Sequence, residues 1–556
     1  MKMEPAPAVP VYGIVVEKDV DVPMRDGANL KADVLRPDDA GKFPAILNLG
    51  PYQKDKLWIP PDTLEEKPNP YMNWETVNPQ WWVPQGYAAV RVDGRGSGKS
   101  PGQCEPWSLS ESIDFYDAVE WAAGQPWCSG KIGLAGISYY AINQWFVANH
   151  QPPSLKAIIP WEGFADLYRD ALFHGGILSL FMPNWFMAHM MHHLLGRASQ
   201  HHPNGWQINT LHFWLQNSLD SGAFRGSQAQ WDKITVPMFS VGNWSGMGLH
   251  LRGNTEAFMR AATPYKKLRI HAGTHVHPFY TEEGRRDQLR FFDYWLKGID
   301  NGIMDEPPVK LAIRKGRDEI EWRHEHEWPL ARTRWTKLYF DLSPSTAQKR
   351  LGALVQENPG SSSSVSYPAT SLGSMGSTSA ASSQVMGGGI PAGMGVSLET
   401  PPLAQDVEVT GPIVTVLWVS SSTEDMDLFL TIRNIDAEGK DILETGQQGT
   451  PVPVAKGWLR VSHRELDPEL SLPYRPYHRH QRRLYLKPGE IVRVEVEIWP
   501  TSKVFRKGHR IRLDVQPRDG IGSASYMHYH ADYNSGTNGI HAGGKWESYL
   551  LLPIIP

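Results

Sequence analysis

Short apolar runs alternate with amphipathic stretches over residues 45–306. Runs of strand length occupy residues 45–49, 87–92, 131–136, 155–160, 236–241 and 268–270. Apolar positions recur at helical spacing in the segments between them, as in residues 113–122, 141–147 and 289–296. Strands that alternate with helices predict a mostly parallel sheet covered on both faces, and the alternating residues 12–50 predict strands and turns before it.

Two regions depart from this rhythm. Residues 166–233 contain helical patterns rich in Met, Trp, Phe and His, and they predict a helical cap inserted between sheet strands. From residue 307 onward, short alternating runs separated by turn residues predict an all-β sandwich, with a flexible excursion in the Ser- and Gly-rich residues 359–397. The predicted architecture is therefore an α/β core (1–165 and 234–306), a cap (166–233) and a β-sandwich (307–556).

Composition narrows the possible partners. The chain has 556 residues, 41% hydrophobic, which allows several sizeable cores. A formal net charge of −4 favours neither nucleic acid nor an anionic membrane as a partner. Two cysteines exclude a disulfide framework, and the amino terminus lacks an apolar signal core, so a cytoplasmic protein is the expectation. Formation of a homo-oligomer is left open.

The strongest chemical signal is a serine between a predicted strand and a predicted helix. An apolar run ends at Gly136, Ser138 follows two residues later, and residues 141–147 have a helical pattern. A serine on such a sharp corner is exposed for nucleophilic attack on a carbonyl. The segment departs from the usual Gly-x-Ser-x-Gly pattern because Tyr140 stands where the second glycine is expected. Ser138 is the predicted nucleophile, and a buried structural serine is the alternative.

A serine nucleophile needs a general base, and the base is expected after the last strand of the sheet. Three histidines follow residues 268–270, namely His271, His275 and His277. His275 lies at a loop distance that suits a return to Ser138, so it is the predicted base. His277 is the main alternative.

Several segments resemble the cocaine esterase and X-Pro dipeptidyl-peptidase group of α/β-hydrolases, and the resemblance covers nearly the whole chain. The segments are residues 22–27, 51–52, 93–98, 125–127 and 166–169. The resemblance implies a helical cap and a C-terminal jelly-roll domain, in agreement with the hydrophobic pattern. It also implies that the Tyr52 hydroxyl and the Tyr139 backbone N–H form an oxyanion hole, since both donate a directed hydrogen bond.

The acid of the expected triad is missing from its usual place. In this group an aspartate follows the strand that here ends at Val241, but residues 242–248 contain no acid. Glu162 follows the preceding strand, and the order Ser138, Glu162, His275 keeps the serine–acid–histidine order of the fold. The hypothesis is that Glu162 orients His275, against the alternative of a solvated loop glutamate. Weaker candidates are Asp166, Glu282 and Glu283.

These observations predict a serine hydrolase that cleaves a carboxylic ester or amide through an acyl-enzyme, without a metal or an organic cofactor. The aromatic and Met-rich cap suggests a small substrate with an apolar acyl or alcohol part. An acyltransferase or lyase with the same triad, an X-Pro aminopeptidase-like activity and a non-enzymatic carbohydrate-binding role are the alternatives. Five histidines invite a metal interpretation, but no His-Glu-x-x-His motif accompanies His189, His192, His193, His201 and His202.

Overall fold

The computed structural model describes residues 12–190, 210–346, 349–369, 395–519, 527–529 and 535–556. None of the helices in those ranges is both long enough and apolar enough to cross a membrane. Residues 191–209 of the predicted cap lie outside the described residues. They include His192, His193, His201 and His202, four of the five histidines considered above as metal ligands.

The amino-terminal half is built on one extended sheet. Its strands are β1 Ile14–Pro23, β2 Asn29–Pro37, β3 Phe43–Gly50, β4 Ala88–Asp93, β5 Cys128–Ile137, β6 Leu155–Trp161, β9 Met238–Asn243, β10 Lys266–His271 and β11 Val309–Gly316. The spatial order is β1-β2-β4-β3-β5-β6-β9-β10-β11, and every pairing from β4 to β11 is parallel. The carboxyl ends of the central strands therefore meet along one edge, where open α/β sheets bind their ligands.

Both faces of this sheet are covered, which explains why its strands are almost continuously apolar. Along β3, Ala45 and Leu47 join one buried cluster, whereas Ile46 joins the cluster on the opposite face. The helices within the described residues are Pro79–Trp82, Leu109–Ala123, Tyr139–Ala148, Phe181–Trp185, Thr210–Gln216, Leu251–Arg260, His277–Tyr280 and Glu282–Phe292. Turns of 3₁₀-helix are formed by Val83–Gln85, Arg225–Ser227 and Val461–His463. Turns of π-helix are formed by Leu167–Leu172, Phe186–Met190 and Asp293–Lys297.

A long insertion separates β6 from β9. Its described part contains a short hairpin of β7 Phe173–His174 and β8 Ile177–Leu178, together with helical segments on either side of residues 191–209. Met182, Phe186 and Trp214 of this insertion belong to the same buried cluster as the helix Tyr139–Ala148. The insertion thus packs over the carboxyl edge of the sheet.

The carboxyl-terminal region is rich in strands that pair mainly antiparallel. They are β12 Glu319–Glu325, β13 Arg334–Asp341, β14 Leu351–Val355, β15 Ser363–Pro368, β16 Val396–Glu399, β17 Val407–Ser421, β18 Asp427–Ile435, β19 Glu444–Thr445, β20 Pro451–Val452, β21 Ala455–Arg460, β22 Val492–Phe505, β23 Arg510–Gln516, β24 Thr537–Ala542 and β25 Tyr549–Ile555. β11 pairs with both β10 and β22, so hydrogen bonding is continuous across the predicted boundary at residue 307.

One local expectation from composition is wrong. Ser363–Pro368, within the stretch predicted to be a flexible excursion, is a strand that pairs antiparallel with β24. Val365 and Tyr367 are buried on one side of it while serines alternate with them, so the side-chain alternation of a half-buried strand outweighs the serine content. Residues 370–394 of the same stretch lie outside the described residues.

Candidate active site

Ser138 occupies a strained corner between β5 and the helix Tyr139–Ala148. Its φ of 54° and ψ of −111° lie outside the regions that serine ordinarily adopts, and its N–H donates to the Trp161 carbonyl at 3.0 Å. A Cβ on Gly136 would lie 2.5 Å from the Cβ of Tyr140, so the turn demands glycine at that position. The local geometry is that of a nucleophile elbow.

The chain accommodates Tyr140 at the position of the expected second glycine. A Cβ on Gly50, at the end of β3, would lie 2.6 Å from a ring carbon of Tyr140. Gly50 therefore makes room for the ring, and the departure from the usual elbow pattern is compensated on the neighbouring strand.

Glu162 directly follows β6 and is fully buried, with a φ of 54°. Its Oε2 faces His275 Nδ1 at 2.7 Å and accepts a hydrogen bond from the Gln447 amide. Its Oε1 lies 3.0 Å from His271 Nε2 and accepts from Asn243 Nδ2 at 3.2 Å. Burial alone would raise the pKa of Glu162, but His275 and His271 hold it well below its usual range. Glu162 is therefore an ionised carboxylate at the sheet edge and not a solvated loop residue.

Asn243 stands at the end of β9, where an acid would be expected. Its side-chain amide donates to Glu162 and to the Gly273 carbonyl at 2.9 Å. The end of β9 thus supplies a donor to the carboxylate of the neighbouring strand.

His275 lies in the loop after β10 and contacts two carboxylates. Its Nδ1 faces Glu162, and its Nε2 lies 3.3 Å from Glu75 Oε1. Burial lowers the pKa of His275, but the charge of Glu162 and the hydrogen bonds to Glu162 and Glu75 outweigh it and raise the pKa to about 10. Burial raises the pKa of Glu75 itself, whose Oε2 has no hydrogen-bond partner among the described residues.

Sequence reasoning missed three residues of this site: Glu75, His250 and Gln447. Ser138 Oγ lies 3.3 Å from His250 Nε2, and the rings of His250 and His275 stack with centroids 4.8 Å apart and planes 2° from parallel. His250 follows β9 at the carboxyl edge, so its strand position was a usable signal. Gln447 lies in the loop between β19 and β20, 285 positions after Glu162 in the chain, and no local sequence pattern indicates that it belongs to the site.

Of the two predicted oxyanion-hole residues, Tyr139 follows Ser138 in the chain and Tyr52 lines the same cavity as Ser138. Tyr52 is buried, and burial raises the pKa of its phenol well above the usual value, so the hydroxyl keeps its proton. The Trp185 indole N–H donates to this hydroxyl at 3.3 Å. Tyr139 is the first residue of its helix, where backbone N–H groups have no intrahelical acceptor, and its own hydroxyl donates to Glu111 at 2.7 Å.

A cavity of about 400 Å³ opens above Ser138. Tyr52, Glu75, His250 and His275 line it together with aromatic side chains from the core and the insertion, which include Trp107, Phe164, Phe181 and Trp185. The indoles of Trp107 and Trp185 stack with their centroids 5.0 Å apart. The cavity thus has an apolar wall facing a compact polar group, as small-molecule sites commonly do.

The remaining candidates lie in other surroundings. His277 Nε2 contacts the Thr63 carbonyl at 3.2 Å, and Asp166 caps the turn Leu167–Leu172 and pairs with Arg169. Glu282 pairs with Arg286, and Glu283 lies 2.7 Å from the Lys310 ammonium. The donor atoms of Glu162, His250 and His275 lie within 4.8 Å of one another, close enough for a metal ion, but hydrogen bonds to protein groups occupy all three residues.

Comparisons with known proteins match both halves of the chain. Residues 26–277 match the family model of X-Pro dipeptidyl-peptidase of the S15 family, and residues 301–551 match that of the X-Pro dipeptidyl-peptidase C-terminal non-catalytic domain. Cocaine esterase of Rhodococcus sp. strain MB1 Bresler is 27% identical, over 97% of this chain and 98% of its own.

Solved structures of related proteins are similar to this chain over nearly its whole length. A CocE/NonD family hydrolase from Staphylococcus aureus is 33% identical and superposes with a TM-score of 0.86, covering 98% of this chain and 94% of that one. An α-amino acid ester hydrolase, 16% identical with a TM-score of 0.70, shares the fold over 100% of this chain and 98% of its own.

The fold and these relatives define an enzyme, a serine hydrolase that acts on esters or amides. Its fold is of the α/β-hydrolase type with a sheet-rich carboxyl-terminal region. The chain belongs to the cocaine esterase and X-Pro dipeptidyl-peptidase group of α/β-hydrolases, as its sequence motifs predicted.

Proposed function

We propose that the enzyme works through an acyl-enzyme on Ser138, with His275 as general base and Glu162 as the residue that orients it. One observation carries the proposal: a serine on a positive-φ corner shares its cavity with an imidazole held by a buried, ionised carboxylate. That combination of nucleophile, base and orienting acid is the working part of a serine hydrolase.

In the acylation step, Ser138 Oγ attacks the acyl carbon while its proton moves to Nε2 of His275. The imidazolium that forms is stabilised by Glu162 through Nδ1. The proton then passes to the leaving alcohol or amine as the bond between it and the acyl carbon breaks. Water attacks the acyl-enzyme by the same route, its proton returns to Ser138 Oγ through His275, and the carboxylic acid leaves. Transfer to an alcohol or amine in place of water would use the same residues.

The negative oxygen of the tetrahedral intermediate needs two donors, and we assign them to the Tyr52 hydroxyl and the Tyr139 N–H. Tyr52 retains its proton because it is buried, and the Trp185 indole occupies an acceptor position on its oxygen. Tyr52 also lines the cavity that contains Ser138, which is where the oxyanion would form.

The cavity favours a substrate with an apolar acyl or alcohol part. Its walls carry Trp107, Phe164, Phe181 and Trp185, whose rings bury hydrocarbon well. An X-Pro aminopeptidase-like activity would need a free carboxylate on the cap for the substrate ammonium. Asp170, the clearest acid of that region, is buried and bonded to the Arg252 guanidinium at 2.9 Å, which disfavours that role.

The finer architecture belongs to the same proposal. We assign residues 1–165 and 234–306 to the hydrolase core, 166–233 to a cap, and 307–556 to a jelly-roll β-sandwich. The antiparallel pairings of β17 with β22 and β25, and of β18 with β21 and β23, support two packed sheets in the last region. The cytoplasmic location and a homo-oligomeric state stay predictions from the sequence.

Labelling with a fluorophosphonate probe tests the nucleophile directly. We expect one equivalent of label on wild-type enzyme, located on Ser138 by peptide mass spectrometry, because the probe reacts only with an activated serine. Ser138→Ala is expected to take up no label. A folded wild-type enzyme that stays unlabelled, or label on another serine, would refute the assignment.

Glu75→Gln is expected to shift the pH dependence of kcat/KM. The Glu75 carboxylate helps to raise the pKa of His275 to about 10, and a base must be neutral to accept a proton, so activity should rise with pH towards that value. Removing the charge should move the rising limb to lower pH by about one unit. The measurement is kcat/KM for an ester between pH 5 and 10.5, and an unchanged limb would exclude Glu75 from the control of His275.

A further inference from the structure

Among the described residues, the imidazole within hydrogen-bond distance and geometry of Ser138 Oγ is that of His250 and not that of the predicted base. His250 Nε2 lies 3.3 Å from Oγ, and the ring is buried between β9 and the helix Leu251–Arg260. Its ring lies flat on that of His275. Two stacked imidazoles therefore line the cavity of Ser138, and the proton positions on His250 decide what His250 does there.

Gln447 determines those proton positions. The hairpin of β19 and β20 reaches from the carboxyl-terminal region into the site, where the backbone carbonyl of Gln447 accepts from the backbone N–H of His275 at 2.9 Å. The Gln447 side-chain nitrogen contacts Glu162 Oε2 and lies 3.1 Å from His250 Nδ1. Because an ionised carboxylate only accepts hydrogen bonds, the amide atom that faces it is the NH₂ group.

The second N–H of this amide then points at His250 Nδ1, which must accept it. A neutral imidazole has one N–H, so the proton of His250 resides on Nε2 and is directed at Ser138. In this tautomer His250 cannot take a proton from the serine at Nε2.

We propose that His250 is a further catalytic residue, which donates its Nε2–H to Ser138 Oγ, and that Gln447 is the positioning residue that keeps it in this tautomer. The inference rests on the proposed role of Ser138 and assigns a catalytic contribution to a domain whose family model is described as non-catalytic.

A donor on Oγ has a defined use in each half of the reaction. In the free enzyme it occupies a lone pair of Oγ, so the serine's own proton is left for His275. During deacylation the bond between the acyl carbon and Oγ breaks, the electron pair goes to Oγ, and the proton returns from His275. The hydrogen bond from His250 stabilises the negative charge that develops on the departing oxygen, without any proton leaving His250.

His250 is suited to stay neutral throughout. Burial and the neighbouring charge of His275 lower its pKa to about 3, although Glu162 opposes the shift. The protonation of His275 during turnover therefore leaves the single proton of His250 where Gln447 directs it.

Two substitutions of His250 distinguish a residue that donates a hydrogen bond to Ser138 from one that accepts its proton. In His250→Gln, the new amide nitrogen can reach the place of Nε2 and donate, but it cannot accept a proton; in His250→Leu, neither is possible. With 4-nitrophenyl acetate under stopped flow, we expect His250→Gln to keep deacylation within about tenfold of wild type. His250→Leu should give a burst of one equivalent of nitrophenolate, followed by turnover slowed about 100- to 1,000-fold.

Gln447→Met, which keeps the length of the side chain, should also slow deacylation and leave KM little changed, because the tautomer of His250 is then no longer held. Should His250→Leu fail to fold, His250→Asn replaces it, since its shorter amide cannot reach Oγ. Equal losses in His250→Gln and the donor-free variant would identify His250 as a base and overturn the proposal, as would wild-type deacylation in the donor-free variant. Fluorophosphonate labelling of wild-type Ser138 tests the proposed function independently of either result.

Discussion

Ser138→Ala is expected to lower kcat for ester hydrolysis about a millionfold while the fold persists. Ser138 Oγ supplies the attacking atom, and the bond to the acyl carbon cannot form without it. Alanine keeps the Cβ and the backbone hydrogen bond from residue 138 to the Trp161 carbonyl, so the elbow has no reason to rearrange. The measurement is steady-state hydrolysis of 4-nitrophenyl acetate beside the melting temperature of the variant.

A second serine–histidine pair provides a matched control. Ser420 Oγ lies 2.9 Å from His541 Nε2 in the carboxyl-terminal sheet, where β17 and β24 pair antiparallel. Ser420→Ala should retain wild-type kcat. If Ser138→Ala kept a substantial share of the activity, another nucleophile would have to be responsible.

Glu162→Gln is expected to reduce kcat about ten-thousandfold with little change in KM. The substitution preserves volume but removes the charge that stabilises the imidazolium of His275. The substitution also replaces one carboxylate oxygen by an NH₂ donor. Because hydrogen-bond donors already face both oxygens of Glu162, this new donor has no acceptor beside it. The amide keeps a single acceptor oxygen, so the groups on the other side of residue 162 lose theirs, and in either orientation the charge that stabilises the imidazolium of His275 is gone.

Glu256→Gln is the control for Glu162→Gln, because it shows what the loss of a buried carboxylate outside the catalytic group does to kcat. Glu256 is also buried, and its oxygens lie 2.5 Å from Arg475 and 3.2 Å from Arg260. Its substitution should lower the melting temperature and leave kcat near that of wild type. Near-normal turnover in Glu162→Gln would remove Glu162 from the catalytic group.

The elbow was predictable because its information is local. The apolar run of β5, the glycine that the turn requires and the helical spacing after Ser138 all lie within about twenty residues. The relation of Glu162 to His275 needed one further rule, that the carboxyl ends of parallel strands meet at one sheet edge. That rule placed both candidates at the same sheet edge. Although β9 lies between β6 and β10, the side chains of Glu162 and His275 contact each other in the structure.

The same rule applies to His250, which lies beyond the carboxyl end of β9, where an aspartate is the residue expected of this group. β9 ends at Asn243, whose amide donates to Glu162, and His250 follows in the next segment of the chain. Glu75 escaped prediction for another reason. It lies in an irregular loop between β3 and β4, and irregular loops have no periodicity that shows where a side chain points.

The sequence by itself determined the strands and helices of the hydrolase core, the family and the serine at the sharp corner, because hydrophobic periodicity and turn chemistry act over short distances. Only the tertiary structure decided which groups surround that serine. Gln447 meets Glu162 across 285 positions of chain, through the hairpin of β19 and β20. Contacts of this kind arise from the packing of separately formed units, and no local pattern of apolar and polar residues records them.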